Sequence, residues 1–350
     1  MGKAFSTNKD VSIDHPIKNI LLIGGEGYIG NVISEKLLLD GYAVTSFDNL
    51  LYKNNLSPLN HIHHPGYKFV FGDMTDGLKL EKLIVGFDVV ILLAGLVGDP
   101  ITKTYPKVAG LINDEGVKNV IDLCAKQNIE KFIFISTCSN YGLIEKDELA
   151  HENFDLKPLS LYAKSKVNAE KYILSLKGKT NMHPTILRFA TAFGLSPRMR
   201  FDLTISEFTR ELAMGNELLV YDAHTWRPYC HVQDFSRLIQ VVLKAPSNKV
   251  SFEVFNAGGE MNNATKKMIV DNILEKMPNG KVRYQKHDSD PRNYRVSFAK
   301  VQSVLGFEPE YTIKDGINEL IEAIDKRIFD HVDENLKSFG NYEIDYPVSS

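Results

Sequence analysis

A glycine-rich turn between a predicted strand and a predicted helix constrains the fold of this chain most strongly. Residues 19–23 form a continuous apolar run, which is typical of a strand buried on both faces of a parallel sheet. The sequence GGEGYIG follows at 24–30, and a helical pattern continues to Leu38. Glycines at these positions permit a tight turn, close approach of the backbone to a pyrophosphate, and packing of helix on strand. The turn predicts a dinucleotide site formed by Gly24, Gly27, Tyr28, Ile29 and Gly30.

The next predicted strand indicates which dinucleotide is bound. It covers residues 43–47 and ends in Asp48, followed by Asn49. An acid at this position can accept hydrogen bonds from both ribose hydroxyls and would repel a 2′-phosphate. Residues 49–52 contain no arginine that would reverse this preference. We therefore expect NAD rather than NADP, with Asp48 and Asn49 among its contacts.

Strands and helices alternate through the first half of the chain. Predicted strands at 67–71, 88–93 and 131–135 are separated by predicted helices at 78–85 and 107–127. This alternation predicts an α/β fold with a doubly wound parallel (Rossmann) sheet, in which ligands bind at the carboxyl ends of the strands. Asp73 falls at such an end, where it could contact adenine or equally cap the following helix. The further predicted cofactor contacts at these strand ends are Met74, Ala94 and Gly95.

Tyr162 and Lys166 are four residues apart at the start of a predicted helix and therefore share one helical face. A nearby ammonium favours the phenolate, whereas an unperturbed phenol, with a pKa of about 10, is a poor base at neutral pH. The pair alone could equally be a half-exposed helix face. Its combination with a dinucleotide site favours a proton-transfer group.

Composition excludes several other classes of protein. The net charge of −3 and pI near 6.4 argue against binding of nucleic acid or of a membrane surface. Three widely spaced cysteines give neither a disulfide framework nor zinc spacing. His61, His63 and His64 lie beside Pro65-Gly66 without carboxylates at ligand spacing, so we expect no metal. No apolar run reaches membrane-spanning length and residues 1–17 lack a signal-peptide core, so the expected compartment is the cytoplasm.

Five motifs together carry a family resemblance. GGEGYIG, Asp48, Gly72-Asp73, FISTCSNYG and YAKSK, in this order, resemble the extended short-chain dehydrogenase/reductase family acting on nucleotide sugars. The resemblance covers about residues 18–326. It implies an NAD-binding domain of residues 18–189, to which 231–258 return, and an interleaved, smaller α/β lobe of 190–230 and 259–329. Residues 1–17 and 330–350 are interpreted as tails, and the resemblance implies a homodimer or higher homo-oligomer that binds a nucleoside-diphosphate sugar.

The resemblance also implies residue roles. Tyr162 would be the acid/base, Lys166 would bind the nicotinamide ribose and lower the tyrosine pKa, and Thr137 would hydrogen-bond the sugar O4. The 4,6-dehydratases of the family carry an Asp-Glu pair after this threonine, where this chain has Cys138 and Ser139. Enzymes similar to GDP-fucose synthase carry a cysteine at the position of Ser139. Cys138 is therefore either a thiol that lines the substrate site or a packed residue.

Four arginines are predicted substrate ligands. A guanidinium can donate two hydrogen bonds to a phosphate, and the family segments similar to 227–234 and 290–292 grip the diphosphate with an arginine. The resemblance therefore assigns Arg227 and Arg292 to the diphosphate and leaves Arg198 and Arg200 as further candidates. Thr191 stands where 4-epimerases have an asparagine that contacts the diphosphate.

Several functions remain open. The first expectation is a nucleotide-sugar 4-epimerase that acts through a 4-keto intermediate. The alternatives are a 4-dehydrogenase that releases the keto sugar and NADH, or its reverse, a 4-reductase, with a 4,6-dehydratase less favoured. A regulatory protein that senses NAD is a different class, but it has no need of the Tyr162, Lys166 and Thr137 set.

Overall fold

The computed structural model describes residues 17–54, 56–144, 148–286 and 293–347, so Arg292 and residues 1–16 of the predicted first tail lie outside the described residues. Within these ranges the strands are β1 (Asn19–Ile23), β2 (Ala43–Asp48), β3 (Tyr67–Phe71), β4 (Val89–Leu92), β5 (Lys131–Thr137), β6 (Leu149–Ala150), β7 (His183–Phe189), β8 (Thr191–Phe193), β9 (Leu218–Tyr221), β10 (Trp226–His231), β11 (Glu253–Ala257), β12 (Asn263–Thr265), β13 (Val282–Gln285) and β14 (Arg295–Val296).

The α-helices of the same ranges are α1 (Tyr28–Leu39), α2 (Gly77–Leu83), α3 (Asp99–Thr104), α4 (Pro106–Ala109), α5 (Val117–Lys126), α6 (Leu161–Ser175), α7 (Thr204–Ala213), α8 (Val232–Lys244), α9 (Ser247–Val250), α10 (Lys266–Leu274), α11 (Ala299–Leu305) and α12 (Ile313–Asp325). None of these helices is long and apolar enough to cross a membrane.

Seven parallel strands form the central sheet in the order β11-β7-β5-β4-β1-β2-β3. Alternate residues of β1 point to opposite faces, so Leu22 packs with Ile33 and Phe235 of α1 and α8, whereas Leu21 packs with Ile121 of α5. Helices on both faces explain why the strands are continuously apolar. The predicted doubly wound parallel sheet is confirmed.

A smaller α/β lobe follows β7. Its three-stranded sheet has the order β12-β10-β8, and α7, α10 and α12 pack around a separate apolar cluster that includes Phe193, Phe208 and Ile269. Between β10 and β12 the chain returns to the large sheet, where it forms α8 and adds β11 beside β7. The lobe is thus built from segments on either side of this return.

The structure differs from the sequence interpretation in two places. The helix predicted over 107–127 contains a π-helical stretch, Gly110–Gly116, between α4 and α5. Residues 330–347, interpreted as a tail, instead form a 3-10 turn at Asp333–Phe339 and then run back across both lobes. The interpretation failed here because the anchoring contacts join residues more than 140 positions apart.

Candidate active site

A cleft of about 660 Å³ opens at the carboxyl ends of the central strands, between the sheet and the smaller lobe. Parallel sheets bind ligands at this edge. The predicted site residues that line the cleft are Gly24, Gly27, Tyr28, Ile29, Gly30, Asp48, Asn49, Asp73, Met74, Ala94, Gly95, Thr137, Ser139, Tyr162, Lys166, Thr191, Arg198, Arg200 and Arg227. The fold therefore brings together the residues predicted to contact cofactor and those predicted to contact sugar.

A side chain at Gly24, Gly27 or Gly30 of the turn would meet different surroundings. A Cβ at Gly24, where φ is +86°, would lie 2.5 Å from the amide nitrogen of Ala94. A Cβ at Gly30 would lie 2.5 Å from the Gly25 carbonyl oxygen, so both positions are closed by protein backbone. At Gly27 the nearest protein atom is 3.5 Å away, and the residue faces the cleft. Close approach of a ligand to Gly27 is what a dinucleotide diphosphate requires.

Asp48 ends β2 with its carboxylate held by backbone amides. Oδ2 accepts from the Glu26 amide at 3.0 Å, and Oδ1 accepts from the Leu50 amide at 2.8 Å. Burial nevertheless raises the pKa of Asp48 to about 6 because these amides only partly replace water. Hydroxyl donors would satisfy the remaining lone pairs, so the position suits a ribose diol.

Glu26, within the glycine-rich turn, has a role that sequence reasoning missed. Its side chain is fully buried, with Oε1 accepting from the Tyr67 hydroxyl at 2.5 Å and Oε2 from the Ser57 hydroxyl at 2.7 Å. These bonds tie the turn to β3 and to the loop after β2. In the sequence, a charged residue between glycines was the signal from which this role could have been inferred.

Asp73 does not cap α2. The N-cap residue of that helix is Asp76, whose side chain accepts a hydrogen bond from the Lys79 amide. The Asp73 carboxylate instead accepts from the Asn49 side-chain amide at 2.7 Å and from the Thr75 amide at 2.8 Å. The two predicted cofactor residues thus hold each other across neighbouring strand ends, at the rim of the cleft.

Tyr162 and Lys166 lie on the first turns of α6, whose start is fixed by Ser160 accepting from the Ala163 amide at 3.1 Å. The Tyr162 side chain lies near Thr137 at the end of β5, close enough for the threonine hydroxyl to lower the tyrosine pKa. The Lys166 ammonium donates to the Ile135 carbonyl at 2.7 Å and lies 5.9 Å from the centre of the Tyr162 ring. The three predicted catalytic side chains are therefore neighbours.

Burial controls the protonation of this set. It raises the pKa of Tyr162 above its ordinary value, whereas the charge of Arg200 and the Thr137 hydroxyl act in the opposite direction. Burial also lowers the pKa of Lys166 to about 8. The largest lowering effect on the tyrosine comes from Arg200 rather than from Lys166, because the lysine ammonium is directed to a backbone carbonyl. Sequence spacing could not reveal this contribution from another part of the chain.

A buried ion pair supports β5 beneath Thr137. Arg188 Nη2 lies 2.7 Å from Glu170 Oε2, and both side chains are almost fully buried. The same carboxylate accepts from the Ser136 hydroxyl at 2.5 Å and from the Asn140 side-chain amide at 2.8 Å. Residues on both sides of Thr137 are thus fixed to α6 and β7.

The arginines of the cleft differ in their partners. Arg200 forms a two-bond ion pair with Asp202, with donor–acceptor distances of 2.9 and 2.5 Å. Arg227 donates to the Trp226 carbonyl, and its guanidinium lies 5.2 Å from the Tyr294 ring centre. Arg198 donates to the Gly340 carbonyl at 3.1 Å and lies 4.7 Å from the Tyr52 ring centre.

Cys138 is not brought to the cleft. Its side chain is 1% exposed, and its thiol donates to the Arg188 carbonyl at 3.1 Å. Burial raises the pKa of this thiol, which disfavours the reactive thiolate. Ser139, the next residue, does face the cleft, 3.3 Å from the Tyr294 hydroxyl oxygen. Further polar lining residues that sequence reasoning missed are Tyr52, Asn54, Asp99, Asp202, Glu207, Lys266, Tyr294, Asn341 and Tyr342.

Comparison with known proteins matches this geometry. A family model described as "NAD dependent epimerase/dehydratase family" covers residues 20–258. A dTDP-glucose 4,6-dehydratase of an Actinoplanes species is 29% identical over 86% of this chain and 96% of its own length. A UDP-glucuronate 4-epimerase of Thermodesulfobacterium geofontis is 26% identical over 86% of this chain and 94% of its own.

The solved structures that match include a dTDP-glucose 4,6-dehydratase from Bacillus anthracis in complex with NAD. Its TM-score is 0.77 at 27% sequence identity, and the match covers 88% of this chain and 97% of that one. A similar fold therefore occurs in a protein crystallised with NAD, the dinucleotide that Asp48 and the glycine-rich turn predict.

Proposed function

Because this chain belongs to the NAD-dependent epimerase/dehydratase family, we propose that it inverts C4 of a nucleoside-diphosphate sugar. Its cofactor is NAD. The proposal depends on one arrangement: the Tyr162 side chain lies close enough to the Thr137 hydroxyl for that hydroxyl to lower its pKa, in the cleft that also contains Gly27 and Asp48. A sugar hydroxyl beside this pair lies in the same cleft as the dinucleotide.

The proposed chemistry assigns one task to each side chain. Bound NAD supplies a hydride acceptor and donor. The charges of Arg200 and of a bound nicotinamide would oppose the effect of burial on the Tyr162 pKa and so favour its phenolate. That phenolate accepts the proton of the C4 hydroxyl while Thr137 holds the same oxygen, so loss of proton and hydride together leaves a carbonyl. After the sugar presents its other face, Tyr162 returns the proton as the hydride returns to C4. The hydride that leaves C4 returns to it, so the reaction consumes no further oxidant.

The residues after Thr137 favour inversion over dehydration. Removal of water across C5 and C6 requires acid and base groups beside the sugar, and 4,6-dehydratases of the family carry an Asp-Glu pair here. This chain has Cys138, whose thiol is buried against a carbonyl, and Ser139, whose hydroxyl faces Tyr294. Neither side chain replaces the carboxyl groups that would act as acid and base in the removal of water.

Positive charge supports a diphosphate substrate. Arg200 and Arg227 line the cleft on the side of the smaller lobe, and a guanidinium donates paired hydrogen bonds to phosphate oxygens. Arg200 also lies close enough to Tyr162 to lower its pKa. Substrate recognition and base activation would therefore share this residue.

The test is incubation of the purified protein with UDP-, GDP-, CDP- and dTDP-sugars, with products separated by chromatography and NADH followed by absorbance. We expect a new 4-stereoisomer of one sugar nucleotide and no lasting NADH. Net accumulation of NADH with a keto sugar would instead identify a dehydrogenase, and a 4-keto-6-deoxy product a dehydratase.

Tyr162→Phe provides the matched test of mechanism. It should lower kcat at least about 100-fold because the proton acceptor is lost, while NAD remains bound. The control is Tyr172→Phe on the same helix, since that hydroxyl binds Asp122 outside the cleft. Equal turnover in the two variants would show that Tyr162 is not the proton acceptor.

A further inference from the structure

The segment after α12 forms one wall of the cleft. Beyond the 3-10 turn at Asp333–Phe339, it is fastened to the smaller lobe by two hydrogen bonds. The Phe201 amide donates to the Phe339 carbonyl at 2.7 Å, and Arg198 Nη2 donates to the Gly340 carbonyl at 3.1 Å. We name residues 339–346 the C-terminal strap.

The same strap is fastened to the central sheet. The Asn341 side-chain amide donates to the Val97 carbonyl at 2.9 Å, in the loop after β4. Farther along, the Tyr346 hydroxyl lies 3.1 Å from the Thr75 hydroxyl, in the loop after β3. The strap therefore bridges the smaller lobe and two of the loops at the carboxyl edge of the sheet.

Two buried polar atoms beside the strap have no hydrogen-bond partner among the residues that the structure describes. They are Asn341 Oδ1 and Arg198 Nε, on side chains that are 8% and 5% exposed and that line the cleft. Burial of an unpaired acceptor and an unpaired donor is unfavourable, so such atoms commonly mark a ligand position. Here the acceptor suits a hydroxyl and the cationic donor suits a phosphate.

The position of Arg198 indicates which ligand Asn341 Oδ1 and Arg198 Nε would bind. Its guanidinium stacks against Tyr52, and its charge lowers the pKa of Asp48, the acid that ends β2. Arg198 is thus at the ribose-binding end of the cleft, whereas Arg200 is the arginine whose charge acts on Tyr162. The pair beside the strap consequently belongs with the dinucleotide rather than with the sugar.

We infer that Arg198 binds the diphosphate of NAD and that Asn341 Oδ1 accepts a hydrogen bond from a neighbouring ribose hydroxyl, so that the C-terminal strap retains the cofactor. Departure of NAD past the strap requires loss of contacts on both sides of the cleft. Such retention fits an enzyme in which the hydride returns to the sugar and the cofactor need not exchange. It applies to the dinucleotide whichever sugar reaction takes place, so binding can be tested without turnover.

The experiment measures the dissociation rate of NADH, displaced by excess NAD and followed by its fluorescence. Asn341→Ala should raise the rate about fivefold and Arg198→Gln about tenfold, because each removes a hydrogen bond and the second also removes a charge. A chain ending at Phe339 should exchange the cofactor faster than either. The matched control is Lys326→Ala, which removes an exposed ion pair with Glu322 of α12, outside both the strap and the cleft.

The affinity for the sugar nucleotide separates the competing assignments. An unchanged NADH dissociation rate in Asn341→Ala and Arg198→Gln, together with weaker binding of the sugar nucleotide, would overturn the inference and assign these residues to the substrate. Asn341→Ala alone decides the outcome if the shortened chain or Arg198→Gln has a lower Tm than wild type. Faster NADH release in Asn341→Ala, with Lys326→Ala unchanged, supports retention by the strap.

Discussion

Glu170→Ala should destabilise this protein more than most single substitutions. The carboxylate is 3% exposed and interacts with Arg188, Ser136 and Asn140. Its removal leaves a buried guanidinium uncompensated and the Ser136 hydroxyl without its acceptor, while the Asn140 amide keeps its bond to Ser136 Oγ at 3.1 Å. Arg188 retains only its bonds to the Tyr141 hydroxyl at 2.9 Å and to the Glu152 carbonyl at 3.1 Å, both neutral acceptors.

The magnitude follows from the depth of burial. Loss of one partner of a buried ion pair costs about 3–5 kcal/mol. The entropy of unfolding of a chain of this length is about 0.7 kcal/mol per kelvin, at roughly 2 cal/mol/K per residue. We therefore expect Tm to fall by about 4–7 °C. Replacement of both partners by apolar residues, Glu170→Leu with Arg188→Met, should recover part of this loss because no uncompensated charge remains.

Differential scanning calorimetry and urea denaturation measure the effect directly. The control is Glu322→Ala, which removes a solvent-exposed ion pair with Lys326 on α12 and should leave Tm unchanged. A fall of less than about 1 °C in Glu170→Ala would refute the reasoning from a desolvated ion pair. A double variant less stable than Glu170→Ala would refute the assignment of the cost to unpaired charge.

Three further predictions concern the cleft. Asp48→Asn should lower the ratio of the Kd for NADP to that for NAD at least about tenfold, because the carboxylate no longer repels a 2′-phosphate; an unchanged ratio would place the adenosine ribose elsewhere. Folding lowers the pKa of Lys166 from 10.5 to about 8, so between these pH values the unfolded chain binds more protons and stability rises with pH. The free energy of unfolding of wild type relative to Lys166→Met should increase by about 3 kcal/mol from pH 7 to pH 10.5, and a constant difference would contradict the shift. Cys138→Ala should retain at least about half of the wild-type kcat, since the thiol is buried against a carbonyl; a loss above about tenfold would make it a catalytic group.

Local sequence was sufficient for the parts of the site that depend on neighbouring residues. The glycine-rich turn, Asp48 at the end of β2 and the four-residue spacing of Tyr162 and Lys166 are all short-range features. Their meeting in one cleft follows from the parallel sheet, in which strand ends share an edge. The fold class and the lining residues that follow these short motifs could therefore be predicted before their contacts were known.

The remaining features depend on distant segments. The C-terminal strap looks polar in the sequence, but Arg198 and Val97 bind it across the molecule. The π-helical stretch places Asn113 so that its side chain bonds both the amide and the carbonyl of Leu96, at 2.8 and 2.9 Å. The burial of Cys138 depends on β7. Periodicity and spacing carry no information about such long-range partners.

The chain forms part of the smaller lobe, returns to the large sheet and then completes the lobe. This order has a consequence for engineering. Because α8 and β11 interrupt the lobe, no single continuous stretch encodes it. Grafting the sugar-recognition half of a relative onto this dinucleotide-binding half would demand several junctions, each beside a strand of the large sheet. Recombination within this chain faces the same obstacle, so we expect its substrate preference to change more readily by point substitution in the cleft than by exchange of the lobe.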